Sequence, residues 1–376
     1  MDEELGKIRE AIDELDSELL RLLNRRMELA LEVGRIKQAH GLPLFHPERE
    51  EIIFERLTGA NPGPLTKDSL RTIYREIFAA SRLQQYIPRI AFLGPEWTYS
   101  HVAAISLFGH AAKYTPCASL EDAFAQLLKG KANFAVIPIE NSLQGGIGQS
   151  MDLLYEHDAR VVSECYLEVA HYLCGTAETP AGLKRLYAHP QAMEQCRRWI
   201  LENLPRIEYH ESTSTTQSAI RAREDPEGAA ICNLFAAHHY GLNLLAERIE
   251  DQAGNTTRFL TLGSYENAPT GNDKTSVLFA VSDRPGALHL ALAPLSQSGI
   301  NMTRIESRPN RLLPWQYMFY TDIEGHRDDG IVRKALDELK SQVSFLKILG
   351  SYPKGDPARP FRIEKEKMRQ TVKENK

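Results

Sequence analysis

The segment YIPRIAFLGPEWTYSHVAAISLF, residues 86–108, marks a change in the periodicity of the chain. Before Pro88, apolar residues recur with the three- and four-residue spacing of amphipathic helices. Ile90–Leu93 is instead a short apolar run that ends at a Gly-Pro turn, and Thr98 or Ser100 would cap a helix just beyond it. This pattern predicts that a helical region ends near Pro88 and that an α/β region begins there.

The composition limits the class of protein. The chain has 376 residues, enough for two or three domains, and 42% of them are hydrophobic while 25% are charged. A net charge of -5 argues against nucleic-acid binding. No apolar run approaches the roughly 20 residues of a membrane helix. The five cysteines form no Cys-x-x-Cys pair and no His cluster has metal-ligand spacing. We expect a cytoplasmic protein without a metal or cofactor.

The first 37 residues predict one continuous helix, roughly 50 Å long. Its apolar seam consists of Leu5, Ile8, Ile12, Leu15, Leu19, Leu22, Leu29, Val33 and Ile36. The helices that follow are too short to cover this seam, so it predicts an intertwined dimer or bundle. Arg26 interrupts the seam, which is costly unless an anion meets it, although a polar residue can also set the register of a coiled coil. Lys37 shares the face of Arg26 about three turns away, whereas Arg9 would more easily serve a partner chain.

Two shorter helices follow in the sequence. Pro47 opens the first and places Arg49 and Glu50 in its first turn, and a second helix carries Ser81 and Gln85 one turn apart on one face. With Arg9, Arg26 and Lys37, these residues resemble the active-site set of the all-α, AroQ-type chorismate mutases.

The resemblance implies the rearrangement of chorismate to prephenate. That reaction needs only a compact substrate conformer and charge stabilisation at the breaking ether bond. By resemblance, Arg26 and the partner chain's Arg9 bind carboxylates, and Lys37 and Gln85 face the ether oxygen. Glu50 accepts from the substrate hydroxyl, while Arg49 and Ser81 support the pocket. His46 stands where the family often has an acidic residue.

The middle of the chain alternates strands and helices, which predicts an α/β domain with ligands at the carboxyl ends of strands. Five short motifs occur there in a specific order: GPEWTYS at 94–100, VIPIENS at 136–142, HPQ at 189–191, STS at 212–214 and NTTRF at 255–259. Over roughly residues 89–264 the chain resembles the prephenate dehydratase domain, which has two lobes like a type II periplasmic binding protein.

This resemblance implies that prephenate loses carbon dioxide and hydroxide and becomes phenylpyruvate. The enzyme needs anchors for two carboxylates and a donor to the departing hydroxyl. By resemblance, Thr257 is that donor, Arg258 binds a carboxylate or orders its loop, and Glu140 and Asn141 polarise the cleft. The other residues implied in substrate binding are Thr98, Ser100, Ser142, Gln191, Ser212, Thr213 and Ser214. Trp97, His101 and Ala188 stand where the family commonly has Gly, an acidic residue and Ser.

The last hundred residues predict a small third domain. KTSVLFAVSD, residues 274–283, reads as an alternating strand, and the element order βαββαβ predicts a ferredoxin-like α+β fold. GAL at 286–288 and ESRP at 306–309 resemble the ACT domain, an amino-acid sensor that pairs edge to edge. The resemblance implies a phenylalanine site built from Gly286, Ala287, Leu288, Asn301, Glu306 and Ser307.

The sequence therefore predicts a multidomain chain. Its expected domains are an all-helical mutase (1–87), a two-lobed dehydratase (88–268), an ACT domain (273–355) and a charged tail (356–376). The expected ligands are chorismate, prephenate and the feedback inhibitor L-phenylalanine, and the expected assembly is a homodimer or higher homo-oligomer. Two alternatives remain open, a non-catalytic amino-acid sensor and a dehydratase that prefers arogenate.

Overall fold

The computed structural model describes residues 2–40, 47–110, 112–309 and 317–362. The chain divides into two compact units, Met1–Pro88 with Phe108–Lys113, and Arg89–Leu107 with Tyr114–Lys376. The predicted residue His46 and positions 363–376 of the predicted tail lie outside the described residues.

The first unit contains three helices, α1 (Asp2–Ala39), α2 (Pro47–Ala60) and α3 (Lys67–Gln85). Thr66 caps α3 by accepting a hydrogen bond from the Ser69 amide. The helix α1 packs on α3 through Gly34, where an added Cβ would lie 2.6 Å from Cγ of Gln85. The predicted single long helix is confirmed, and every residue of its apolar seam is between 46% and 65% exposed.

The second unit begins with lobe 1. Its helices are α4 (Tyr99–Phe108), α5 (Leu120–Leu128) and α6 (Gly148–Glu156). Its strands are β1 (Arg89–Leu93), β2 (Lys113–Cys117), β3 (Phe134–Asn141), β4 (Gly145–Gly146), β5 (Arg160–Glu168) and β11 (Thr256–Gly263). The sheet order is β2-β1-β3-β11-β5, with β4 paired to β3. Strand β11 runs antiparallel to both β3 and β5.

Lobe 2 is formed by the chain between β5 and β11. Its strands are β6 (Tyr172–Gly175), β7 (Arg185–Ala188), β8 (Glu208–Glu211), β9 (Gly228–Cys232) and β10 (Asn243–Ala246), in the order β10-β6-β9-β7-β8. Its helices are α7 (Pro190–Gln195), α8 (Arg197–Asn203), α9 (Thr215–Glu224) and α10 (Leu234–His239). The chain crosses between the lobes twice, so the two-lobed architecture agrees with the prediction.

A third sheet follows. Its elements are β12 (Asp273–Ala280), α11 (Ala287–Gln297), β13 (Met302–Pro309), β14 (Tyr317–Glu324), α12 (Gly330–Gln342) and β15 (Phe345–Pro353). The antiparallel order β13-β14-β12-β15 confirms the ferredoxin-like fold. None of the described helices is long and apolar enough to span a membrane.

The burial of β12 differs from the prediction. An alternating strand would leave one face to solvent, but all eight residues of β12 are buried. Val277 and Phe279 pack with both helices, whereas Leu278 joins the core of lobe 1 with Ile137 and Leu260. A sheet covered on both faces needs no polar face, and polar residues such as Ser276 are buried at the contact between the ACT sheet and lobe 1.

Candidate active sites

Arg26 is partly buried in the first unit, where the mutase pocket is predicted. Its guanidinium donates to the Ser81 hydroxyl and lies 5.4 Å from the ring centre of Phe78. Ser81 is buried and donates in turn to the Ile77 carbonyl at 2.7 Å. Burial lowers the pKa of Arg26, with Tyr74 and Glu50 opposing the shift. The predicted pair of Arg26 and Ser81 is therefore brought together by α1 and α3.

Glu50 and Lys37 border the same pocket. Burial raises the pKa of Glu50, and the cations Arg82 and Arg26 oppose that shift. Burial also lowers the pKa of Lys37, with Glu48 and Glu50 opposing it. The pocket thus combines cations with carboxylates in a partly desolvated space, which strengthens electrostatic contacts with a charged ligand.

Arg82 was not among the site residues predicted from the sequence. Its side chain is only 5% exposed and forms an ion pair with Glu50. Phe78, Arg82 and Gln85 are spaced so that they lie on one face of α3. A charged residue on the same face as the predicted site residue Gln85 was the signal that could have identified Arg82.

Two predicted mutase residues lie away from this pocket. Arg49 is exposed, while its neighbour Glu48 is buried and faces Lys37. Arg9 is also exposed, so its predicted role in a partner chain's site stays a prediction.

The predicted dehydratase donor Thr257 is buried at the start of β11. Its Oγ1 accepts from Asn141 Nδ2 at 3.0 Å. The Asn141 amide is oriented from the other side, because its Oδ1 accepts from the backbone amides of Leu143 and Gln144 at 3.0 and 3.2 Å. Because the Thr257 oxygen accepts this bond, the Thr257 hydroxyl hydrogen is left to donate elsewhere.

A chain of hydrogen bonds continues from Asn141. Its Nδ2 also donates to Asn255 Oδ1 at 2.6 Å, and Asn255 Nδ2 donates to Gln195 Oε1 at 3.5 Å. Gln195 Oε1 lies 2.7 Å from His171 Nε2, and burial lowers the pKa of His171. The sequence predicts Gln191 as a cleft residue. Gln195 and Asn255 were not predicted, although Asn255 lies within the motif NTTRF.

Gln191 and Ser212 are residues of lobe 2 that were predicted to line the cleft. Gln191 Nε2 donates to Gln144 Oε1 of lobe 1 at 2.6 Å. Ser212 is 4% exposed, and its hydroxyl has no hydrogen-bond partner among the residues that the structure describes. Ser214 caps α9 by accepting from the Gln217 amide at 3.0 Å, and Thr213 is exposed.

The remaining predicted cleft residues lie in lobe 1. Thr98 precedes α4, which begins two residues earlier than expected, and its hydroxyl donates to the Pro95 carbonyl at 2.9 Å. Ser100 is buried in the first turn of that helix. The Ser142 hydroxyl accepts from the Thr256 amide at 2.9 Å. Thr98 and Ser142 therefore hold the backbone of their loops.

The placement of Arg258 does not support its predicted contact with a substrate carboxylate. The residue is 2% exposed. Its three nitrogens all donate within the protein, to Glu164 at 2.7 Å, Asp322 at 2.5 Å, Glu140 at 3.2 Å and the Tyr352 hydroxyl at 3.0 Å. A buried guanidinium needs such partners, so the alternative prediction, that Arg258 orders its surroundings, fits this geometry.

Two departures from the family pattern lie side by side. Trp97, where Gly is common, has a left-handed φ of 65°. Its ring stacks on His239 at 4.5 Å, and its carbonyl accepts from Asn233 Nδ2 at 2.7 Å, so lobe 2 holds the unfavourable backbone in place. His101 is buried, stacks on Phe92 and accepts from the Trp97 amide at 3.0 Å. The third departure, Ala188, is fully buried at the end of β7.

The predicted phenylalanine site is not assembled within one chain. Gly286, with φ of 78°, precedes α11 beyond the end of β12, whereas Asn301 precedes the start of β13. The register of β14 separates these two ends by roughly 17 Å of strand. Glu306 and Ser307 also point to opposite faces, since adjacent strand residues alternate. Glu306 lies against Gly146 of lobe 1, so one strand does not present Glu306 and Ser307 to the same ligand. Their joint role in a site between two chains stays a prediction.

The comparisons with known proteins follow this order of domains. Family models match as chorismate mutase type II at residues 8–86, prephenate dehydratase at 90–267 and ACT domain at 275–341. The bifunctional chorismate mutase/prephenate dehydratase of Aquifex aeolicus is 41% identical over 356 residues, covering 94% of this chain and 98% of that protein.

Two solved structures are similar to the second unit. A prephenate dehydratase from Arthrobacter aurescens, in complex with L-Phe, has a TM-score of 0.66 and 33% identity, covering 76% of this chain and 96% of that one. A protein described as a novel type of quorum quenching acylase has a TM-score of 0.65 and 33% identity, covering 72% and 99%.

The domain order and the two polar sites define a two-site enzyme with an ACT domain. The chain belongs to the family of bifunctional chorismate mutase/prephenate dehydratases.

Proposed function

We propose that the chain converts chorismate to prephenate in its first unit and prephenate to phenylpyruvate in its second. These steps belong to phenylalanine biosynthesis, and we propose that they take place in the cytoplasm. The proposed domain boundaries are 1–87, 88–268 and 273–355, and the family matches at 8–86, 90–267 and 275–341 support them.

In the proposed mutase site, Arg26 and Lys37 hold the substrate and stabilise the negative charge that develops on the ether oxygen. The rearrangement transfers no proton, so the site needs cations and hydrogen-bond donors in fixed positions. The supporting observation is that Arg26 contacts Ser81, and that Arg26 and Lys37 are partly buried and both interact with Glu50. Gln85 and the partner chain's Arg9 complete the proposed site, and a supporting role of the exposed Arg49 stays a prediction.

In the proposed dehydratase site, Thr257 donates a proton to the departing hydroxyl while carbon dioxide leaves and the ring becomes aromatic. The observation that carries this proposal is the contact between Asn141 Nδ2 and Thr257 Oγ1. It occupies the oxygen as an acceptor and directs the hydroxyl hydrogen away. Gln191 and Ser212 of lobe 2 are proposed to face the substrate from the other side of the cleft.

L-phenylalanine is the proposed effector, bound between the ACT domains of two chains. The support is that Gly286 and Asn301 lie at opposite ends of the sheet strands, so a second copy is needed to bring them together. The similar dehydratase from Arthrobacter aurescens was solved with L-Phe. The exposed seam of α1 supports a second contact between copies, which makes the proposed assembly a homodimer or a higher homo-oligomer.

The experiment that tests the two activities is a turnover assay with each substrate. Formation of prephenate from chorismate and of phenylpyruvate from prephenate supports the proposal, whereas binding of phenylalanine without turnover supports a sensor. Faster turnover of arogenate than of prephenate would reassign the dehydratase substrate.

A further inference from the structure

We propose that Arg304, on strand β13 of the ACT sheet, is a positioning residue for the dehydratase reaction and acts through Glu140. The ACT domain would then contribute directly to the geometry of the dehydratase site. This inference rests on the dehydratase site proposed above, and its test separates failure of the inference from failure of that site.

The first step is the contact of Arg304 with Glu140. Arg304 Nε forms an ion pair with Glu140 Oε2 at 2.7 Å, and the Arg304 side chain is only 8% exposed. Its guanidinium lies over the Tyr320 ring, 4.6 Å from the centre, and Nη2 pairs with Glu306. The contacts with Tyr320 and Glu306 therefore fix the position of the Arg304 guanidinium next to Glu140.

The second step concerns the contacts that fix the Glu140 carboxylate. Its other oxygen, Oε1, accepts from Arg258 Nη1 at 3.2 Å. Two arginines, one from β11 and one from the ACT sheet, thus bind different oxygens of one carboxylate. The contact with Arg258 is a charge-assisted hydrogen bond, whereas the contact with Arg304 is an ion pair that holds the other oxygen by charge. Loss of Arg304 frees one oxygen and lets the carboxylate rotate.

The third step leads from Glu140 to Thr257. In the backbone register of β3 and β11, Glu140 lies opposite Arg258 and Asn141 lies opposite Thr257. The register shifts directly after Arg258. A local shift of register interrupts the regular ladder, so side-chain contacts decide the geometry at this end of the strands. A displaced Glu140 therefore moves the adjacent Asn141, whose amide orients the Thr257 hydroxyl.

The loop after β3 is shaped to receive the ACT strand. A Cβ at Gly146 would overlap the Glu306 carboxylate, and one at Gly148 would overlap the Arg308 guanidinium. Arg308 also pairs with Asp152 of α6 at 3.2 and 2.9 Å. Gly146 of β4 and Gly148 at the start of α6 thus allow β13 to approach closely.

The test compares Arg304→Met with Arg304→Lys in the full-length chain. We expect dehydratase kcat to fall on the order of tenfold in Arg304→Met, as for loss of an orienting contact, with a smaller change in KM. Arg304→Lys keeps the charge and should recover much of kcat. Chorismate turnover in the same samples reports the amount of enzyme present, and the recovery in Arg304→Lys controls for folding of the second unit.

Arg308→Met is the matched control, because it removes an arginine–carboxylate pair from the same strand and face but at α6. It should keep dehydratase kcat near that of the unmodified chain. In a Glu140→Gln background, Arg304→Met should add little further loss, since its effect passes through Glu140.

Three results would overturn the inference. They are unchanged kcat in Arg304→Met, an equal loss in Arg308→Met, or an undiminished effect of Arg304→Met in the Glu140→Gln background. Thr257→Val is measured alongside: if it is inactive while Arg304→Met is fully active, only the inference fails. If Thr257→Val is itself fully active, the proposed dehydratase site fails.

Discussion

Asn141 Nδ2 donates to Thr257 Oγ1 at 3.0 Å across the paired strands β3 and β11. The contact joins the end of a strand from the first half of lobe 1 to the strand that returns from lobe 2. Both segments that connect lobe 1 to lobe 2 lie close to this contact. Motion of one lobe relative to the other would therefore displace Thr257. The same contact makes the hydroxyl a donor for a ligand in the cleft.

Replacement of Thr257 tests the donor role. Thr257→Val keeps the shape of the side chain and removes the hydroxyl, so dehydratase kcat should fall about 100-fold or more. Thr257→Ser restores the hydroxyl and should retain much more activity. Steady-state assays with prephenate measure both, with chorismate turnover as the internal control. Equal activities of the Val and Ser variants would exclude the hydroxyl as donor.

Replacement of Arg26 tests the mutase pocket. Arg26→Ala should cost at least ~3 kcal/mol of transition-state stabilisation, because a charged and partly desolvated contact is lost. The ratio of kcat/KM for chorismate between the two proteins measures this loss. Arg25→Ala is the control, since Arg25 is an exposed neighbour that pairs with Glu28 one turn along the same helix. Near-normal mutase turnover in Arg26→Ala would contradict the site assignment.

Subunit complementation tests whether Arg9 serves the partner's site. Arg9→Ala and Arg26→Ala should each lose mutase activity, but in a mixed dimer one of the two sites keeps both arginines. With random pairing, about half of the dimers are mixed, and one of the two symmetric sites in each mixed dimer is intact. About a quarter of all sites should therefore be active. Co-expression of the two variants and a mutase assay measure this recovery. If the mixture is as inactive as either variant alone, Arg9 is not shared in this way.

The pH dependence of stability tests the ion pair of Asp225. Hydrogen bonds from Arg185, and further ones from Tyr187 and the Glu227 amide, hold the pKa of Asp225 well below its usual range. The folded pKa is depressed, so this stabilisation is complete above the unfolded value of about 3.9 and is lost below it, by at most ~1.4 kcal/mol per pH unit.

Asp225→Asn should therefore be less stable than the unmodified chain at pH 7, and the difference should shrink as the pH falls below 4. Thermal unfolding between pH 3 and 7 measures it. Glu227→Gln, at a more exposed partner of Arg185, is the control and should have a small effect at every pH. A difference that stays constant with pH would show that the carboxylate charge is not responsible.

Phenylalanine inhibition tests the ACT assignment. Phenylalanine should weaken prephenate binding by a factor of about 5 to 150, the usual range of coupling between two sites. Ser307→Ala should reduce this inhibition and leave uninhibited turnover largely intact. Replacement of Gly286 is less clean, because its left-handed φ adds a backbone cost of roughly 1–2 kcal/mol for another residue. The same inhibition curve for Ser307→Ala and the unmodified chain would remove Ser307 from the site.

The sequence could predict those features that depend on local periodicity and motif order. The helix α1 and the order βαββαβ both follow from residues close together in the chain. The grouping of Arg26 with Ser81 came from resemblance to a family, and the structure places the two side chains in contact.

The sequence could not reveal which face of a strand meets another domain. Ser276 and Asp322 are polar but fully buried, because the ACT sheet packs on lobe 1 through a network of charges and hydroxyls. Arg258 was predicted to bind a substrate carboxylate or to order its loop, because its partners Asp322 and Glu164 lie 64 and 94 residues away and could not be recognised from the sequence. Such contacts between distant segments are invisible to periodicity, and they account for the role of Arg258 and the position of Glu306.

The most direct test of the central claim is one time course that follows chorismate, prephenate and phenylpyruvate together. The unmodified chain should consume chorismate and form phenylpyruvate, with prephenate as an intermediate. Thr257→Val should accumulate prephenate, whereas Arg26→Ala should leave chorismate unconsumed yet convert added prephenate. If Thr257→Val still forms phenylpyruvate at the normal rate, or if Arg26→Ala fails to convert added prephenate, the account of two separate sites is contradicted.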